Sequence, residues 1–314
     1  MSRLPVDRYT FPWGDAEVCP CGSEFRFVDC CKRPGRLPYT TVPNLIPQGP
    51  FTNYAHPACY LARTNNCSTG RSREHYVSEA ILKRFEQLSV SGMPWQNRDQ
   101  AQTLPGNALV ANILCERHNG ALSPIDSMGL RAFDAFISAA DYAVHQRHSG
   151  RASHFLISGE ALELWMFKLM AGIHFGGIAK ADGKVSRDNH DFPLDATIQA
   201  LSTSELPTTA GLIVTQNSGL VKPKQISVAP LITTQDSRII GVRVQFGALT
   251  FETTIVPPPI FASHRAQLAS LRRPRVVDFV GPARDARVVL TWPGGLNDVR
   301  RVQISVQPDD GRAD

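Results

Sequence analysis

Beyond Cys115 the 314-residue chain has no cysteine, and its seven cysteines stand at positions 19, 21, 30, 31, 59, 67 and 115. An odd, front-loaded set at short spacings does not suit a secreted disulfide framework; it suits metal binding in a reducing compartment. The opening residues, Met1 to Arg8, carry no apolar core segment, so no secretory signal is expected. No long uninterrupted hydrophobic run is present either. The most apolar stretch, residues 161–178, contains Glu163, Lys168 and His174, which fits a core helix and not a membrane span. Also missing are a glycine-rich phosphate loop, a Gly-x-Ser-x-Gly elbow, a dinucleotide fingerprint, internal repeats and low-complexity tracts. These absences lead to the expectation of a soluble, cytoplasmic protein with no membrane partner.

What is present is enough for a sizeable core: 42% of residues are hydrophobic, which excludes global disorder. Basic residues number 33 and acidic ones 28, a net charge of +5. That excess permits a nucleic-acid partner without requiring one.

Composition divides the chain into four zones. Residues 1–36 are cysteine-rich and end in a basic run, and residues 37–54, with Pro38, Pro43, Pro47 and Pro50, read as an extended linker. Residues 55–150 hold the other three cysteines and the densest polar constellation. Residues 151–314 hold no tight cluster of ligand types and read as a companion domain of unassigned role. Apolar spacing predicts helices over 78–88, 127–148 and 159–175, the last with Glu163 and Lys168 outside, and residues 89–107 read as a loop-rich insertion. Alternating runs at 212–215, 225–232, 239–246, 249–256 and 287–291 predict a mainly antiparallel sheet. The fold class is therefore α+β.

The first four cysteines read Cys19-x-Cys21-x8-Cys30-Cys31. Four thiolates this close can close a tetrahedral zinc site, and Gly22 eases the turn after the first pair. Residues 19–31 resemble the SEC-C zinc-binding motif, Cys-Pro-Cys-Gly-Ser followed by a Cys-Cys or Cys-His pair. Where that family carries lysines, this chain has Glu24, Phe25, Phe27 and Val28. The resemblance implies an accessory module that contacts a protein partner or nucleic acid. With four protein ligands the metal keeps no open position for catalysis.

The remaining cysteines form Cys59-x7-Cys67 and Cys115-x2-His118, a complete Cys3His set bracketing Glu74-His75. His118 either completes this zinc set, the assignment adopted, or reaches a separate active metal. Hydrolysing a phosphodiester requires a water deprotonated beside phosphorus and a cation to neutralise the developing charge. His75 has the side chain suited to the first task. Glu74, its strand neighbour, faces the opposite way by two-residue alternation. Arg63, Arg71 and Arg73 offer forks for phosphate oxygens, with Arg71 and Arg73 as the substrate-binding candidates.

Ser72-Arg73-Glu74-His75-Tyr76-Val77-Ser78 and Leu114-Cys115-Glu116-Arg117-His118-Asn119, set between metal knuckles, resemble the HNH nucleases. These have the ββα-metal, or His-Me finger, fold; the similarity is to zinc-braced variants and covers roughly residues 56–130. The resemblance implies Glu74 as a first ligand of a catalytic magnesium or manganese and Asn119 as the residue orienting His75. It also implies Asp126, at the start of the following helix, as the second ligand. The family's third signature residue is commonly a histidine, and the window 120–129 has none; Asp126 is the only hard-oxygen anion there.

Two functions compete. One is a metal-dependent endonuclease-like phosphodiester hydrolase, acting on DNA ahead of RNA, with two structural zinc sites. The other is a non-catalytic zinc protein that binds nucleic acid or a protein partner through a degenerate HNH fold. The later arginines, Arg265, Arg272, Arg273 and Arg275, read as a solvated face or linker, and His145, His148 and His154 as surface or helix-end residues. His174 reads as a core or helix-end histidine.

Overall fold

A computed structural model describes residues 13–20, 24–32, 50–85, 87–90, 102–105, 109–145, 154–176, 192–203, 211–216, 225–232, 239–246, 249–255, 270–283, 285–292 and 301–307. Cys21, Gly22, His148, Arg265 and most of the proline-rich linker lie outside the described residues. The architecture is α+β. Its centre is two helices, α2 (Glu116–Val144) and α3 (Gly159–Phe175), packed among three sheets.

The smallest sheet is the antiparallel pair β1 (Arg71–His75) and β4 (Val110–Cys115), with a bulge between Ser72 and Glu74. A four-stranded sheet has the order β13 (Arg301–Ser305), β11 (Val276–Val280), β12 (Ala286–Thr291), β5 (His154–Ser158); its two outer pairings are parallel. The largest sheet has seven strands. Its antiparallel part runs β10 (Ser270–Arg272), β6 (Gly211–Gln216), β9 (Leu249–Thr254), β8 (Ile239–Phe246), β7 (Gln225–Ile232). Strand β2 (Gln87–Val90) then pairs in parallel with β7, and β3 (Gln102–Leu104) closes that edge. The predicted antiparallel strands thus exist, and they are joined by strands from the region read as helix end and loop.

Helix α2 holds the sheets together. Leu122, Ile125, Phe133, Phe136, Ala140 and Ala143 recur at helical spacing and are buried. Phe136 lies 5.0 Å from Phe251 of β9 and 6.4 Å from Phe279 of β11, so one side chain touches both larger sheets. One apolar core runs from Cys59 to Val306. A smaller core gathers Cys19, Phe27, Cys30 and Cys31 against Leu156 of β5 and Val289 of β12.

Three local expectations need correction. Helix α2 begins at Glu116, not near residue 127, because the Cys115 sulfur caps its first turn by accepting from the His118 amide. Asn119-Gly120 is therefore helical, and Asp126 lies in the third turn, not at the start. Helix α1 is only Glu79–Leu82; residues 87–90 are drawn into the sheet, where pairing with β7 overrides helical spacing. Finally, every residue of α3 is buried, so Glu163 and Lys168 have no solvent face to occupy. Glu163 instead accepts from the Leu212 amide at 2.5 Å and from Arg273 at 2.8 and 2.9 Å, which takes Arg273 off the predicted solvated face. No helix among the described residues is long and apolar enough to cross a membrane.

Candidate metal centre and adjoining polar site

Cys59, Cys67, Cys115 and His118 converge, fully buried, with their ligand atoms within 4.8 Å of one another. The elements responsible are the turn Ala62–Thr64, which folds the Cys59–Cys67 segment back on itself, and the β4–α2 junction, which carries Cys115 and His118. The His118 Nδ1 lies 3.4, 3.6 and 3.2 Å from the sulfurs of Cys59, Cys67 and Cys115. A tetrahedral zinc with ordinary bond lengths sets a sulfur-to-nitrogen edge of about 3.6 Å, so the donor set has the size of a zinc site.

The imidazole is also prepared for a metal. Thr64 Oγ1 donates to the Leu61 carbonyl at 2.8 Å, so it accepts from His118 Nε2 at 2.9 Å. That fixes the proton on Nε2 and leaves the Nδ1 lone pair facing the three sulfurs. Burial pushes the Cys59 and Cys67 thiols up. Burial opposes ionisation of Cys115 too, but backbone N–H donors from His118 and Ser68 outweigh it and bring its thiol below the ordinary value. A zinc ion would supply the positive charge that lets the other two ionise.

The N-terminal set gathers Cys19, Cys30 and Cys31, all buried. The Cys30 and Cys31 sulfurs stand 3.8 Å apart, close to the edge of about 3.8 Å of a tetrahedral zinc–sulfur site. Cys21, the expected fourth ligand, lies outside the described residues. Trp13 packs its ring 5.5 Å from Phe27 and 6.3 Å from His154, which joins this unit to β5. These two sets fit zinc.

Beside the Cys3His centre, β1, β4 and α2 form a strand–strand–helix unit. Asn119 donates to Ser72 Oγ at 2.7 Å, tying the first turn of α2 to β1. Glu74 is buried while Arg71 and Arg73 are exposed and His75 is partly exposed, as strand alternation requires. The hydrogen bond and charge of Lys83 hold the Glu79 carboxyl below its ordinary value. Arg63 pairs with Asp195 of α4 (Leu194–Thr203).

Glu74 and Asp126 do meet, but through a third residue. The Lys168 ammonium, on α3, pairs with Glu74 Oε1 and lies 2.5 Å from Asp126 Oδ2. The other Asp126 oxygen accepts from Ser78, whose hydroxyl in turn accepts from Trp165 Nε1 at 3.0 Å. Burial alone would lower the Lys168 pKa; Asp126 and Glu74 outweigh it and hold the ammonium above the usual lysine range. Burial pushes the Glu74 carboxyl up, with Lys168 opposing. Among the described residues, no third carboxylate or imidazole joins the two acids within 4.8 Å. The donor set implied for magnesium or manganese therefore does not fit as it stands, because both carboxylates already serve an ammonium.

Sequence reasoning missed Thr64, Ser78 and Lys168 as parts of the site. For Lys168 a signal existed, since a lone lysine in an otherwise apolar helix needs a buried partner. Thr64 sits between two ligand cysteines but carries no mark of its own. No family model, curated protein or solved structure matches this chain.

Proposed function

We propose that this chain is a zinc-braced nucleic-acid-binding protein of the HNH, ββα-metal type that hydrolyses phosphodiester bonds, with DNA as the first substrate to examine. The observation that carries the reading is the β1–β4–α2 unit: a Cys3His set closes one end, and Arg71, Arg73 and His75 line the accessible part of β1. In this proposal the exposed arginine forks bind phosphate oxygens and set the backbone in place. His75 accepts a proton from water as the water oxygen attacks phosphorus. The bond to the leaving alkoxide breaks, and that oxygen takes a proton from solvent. Asn119 holds β1 against α2 and so positions His75. The N-terminal zinc unit, similar to SEC-C, is the surface assigned to a further partner.

The test is cleavage of supercoiled plasmid and labelled single strands by the zinc-loaded full chain. Loss of nicking in His75→Ala, with folding retained, is expected; equal cleavage by wild type and this variant would sink the proposal. A second reading is favoured by Lys168, which already pairs with both acids. On that reading the protein binds nucleic acid or a protein partner without cutting. Salt-sensitive DNA binding, weakened by Arg71→Ala with Arg73→Ala, indifferent to His75→Ala and without cleavage, would establish it.

A further inference from the structure

Strand β1 and helix α2 bring Glu74 and Asp126 to one point, and helix α3 delivers Lys168 to the same point from residues far outside the strand–strand–helix unit. We propose that Lys168 is the resident cation of this site: its ammonium stands where a divalent ion would sit, so the pair does not take up magnesium or manganese. The inference rests on the ββα reading only for the expectation of a metal there; the binding measurement below needs no cleavage.

Three observations carry it. The ammonium touches both carboxylates at once and is only 3% exposed. An ammonium has three N–H donors, and two are engaged by the acids. Next, Lys168 cannot step aside. A lysine on an ordinary amphipathic helix could swing to solvent and admit an ion, but α3 is buried at every position from Gly159 to Phe175. Displacing the ammonium would strand a charge in the core, which is strongly unfavourable. Last, Asp126 has no spare oxygen, because Oδ2 serves Lys168 and Oδ1 accepts from Ser78, itself held by Trp165. A divalent ion would have to break contacts to β1, α2 and α3 together.

The charges decide the outcome of removing the lysine. Two carboxylates facing one ammonium leave a single net negative charge; without it, the buried Glu74 and the partly buried Asp126 face each other with no counter-charge. Such a pair must either hold a proton or bind a cation. Lys168→Met keeps the length and bulk of the side chain and removes only the charge. Unlike a lysine with a purely structural role, a resident cation predicts that its loss creates a metal site.

The experiment is Mn²⁺ binding to the full-length chain, followed by electron paramagnetic resonance of free Mn²⁺ and by calorimetry, with zinc content verified beforehand. Wild type should bind no stoichiometric Mn²⁺. Lys168→Met should bind one equivalent at least roughly tenfold more tightly than wild type, as expected when ligand charge is uncovered, and Glu74→Gln added to it should abolish that site. Stoichiometric binding by wild type that disappears in Asp126→Asn would overturn the proposal, as would a folded Lys168→Met with no gain. If Lys168→Met does not fold, wild type decides alone. No bound Mn²⁺ and no Mn²⁺-dependent rise in melting temperature sustains the inference; a saturable rise abolished by Asp126→Asn refutes it. If no nuclease activity is found, the functional reading fails and the Mn²⁺ result stands.

Discussion

Helix α2 contains two glycines for which the same substitution should have opposite effects. At Gly129 an added Cβ would lie 2.5 Å from Trp165 Cδ1 and 2.6 Å from Cγ. Such distances are closer than carbon atoms approach, so something must move. The indole cannot yield cheaply: it is 1% exposed, its ring centroid stands 5.1 Å from that of Phe133, and its Nε1 donates to Ser78 at 3.0 Å. Alanine in a helix interior gains about 1 kcal/mol over glycine. Overpacking a core costs about 1–3 kcal/mol, and losing the Trp165–Ser78 hydrogen bond costs about 1 kcal/mol more. The cost wins, and Gly129→Ala should destabilise by about 1–3 kcal/mol. At Gly120 nothing lies within 4 Å of the added atom, so only the propensity gain remains. Gly120→Ala should therefore stabilise by up to about 1 kcal/mol. Urea unfolding of the zinc-loaded protein, followed by tryptophan fluorescence and circular dichroism, reads both. The packing argument is wrong if Gly129→Ala unfolds at the same urea concentration as Gly120→Ala or at a higher one.

Two further outcomes follow from the site and the core. His118→Ala should lower bound zinc from about two equivalents to one, because a structural site needs its fourth donor; since such binding supplies about 10–16 kcal/mol, strands β1 and β4 and helix α2 should also lose protection in hydrogen exchange, and a variant that retains both zinc ions contradicts the ligand assignment. Glu160 is the titrating group to watch: burial, then the charge of Glu163, raises its pKa from 4.5 to about 7. The folded state therefore holds this proton more tightly than the unfolded chain, so its contribution is fully present below about pH 4.5 and is lost as pH rises towards 7. Glu160→Gln should flatten that part of the stability profile, and identical profiles for variant and wild type would remove Glu160 as the cause.

Much of this was legible from spacing alone. Metal ligands announce themselves because a tetrahedral ion restricts sequence intervals, and Cys59, Cys67, Cys115 and His118 do converge. The bounds of α3 were legible because glycine and an apolar run delimit it. Its orientation was not. A charged residue on a helix ordinarily marks the wet side, and here Glu163 and Lys168 face partners, Arg273 and Asp126, that are 110 and 42 residues away in sequence. No local pattern reports a partner at that distance. The start of α2 was hidden for a similar reason: Asn119-Gly120 has turn chemistry, and the cap that keeps it helical is a cysteine sulfur, outside the usual capping residues. Strand β2 was misread because its partner β7 lies far along the chain.

That pairing has a consequence for how the protein is made. Gln87 sits opposite Gln225, so 138 residues must still be synthesised after β2 before its parallel partner exists. At ordinary elongation rates that is a wait of about 7–28 s. The Cys3His ligands, by contrast, are complete once His118 has been translated. Zinc uptake can thus precede closure of the sheet, leaving on the ribosome a hairpin and helix whose neighbouring strand β2 has only the short β3 to pair with. Nor has Lys168 been translated when those ligands are complete, so Glu74 and Asp126 begin without their counter-charge.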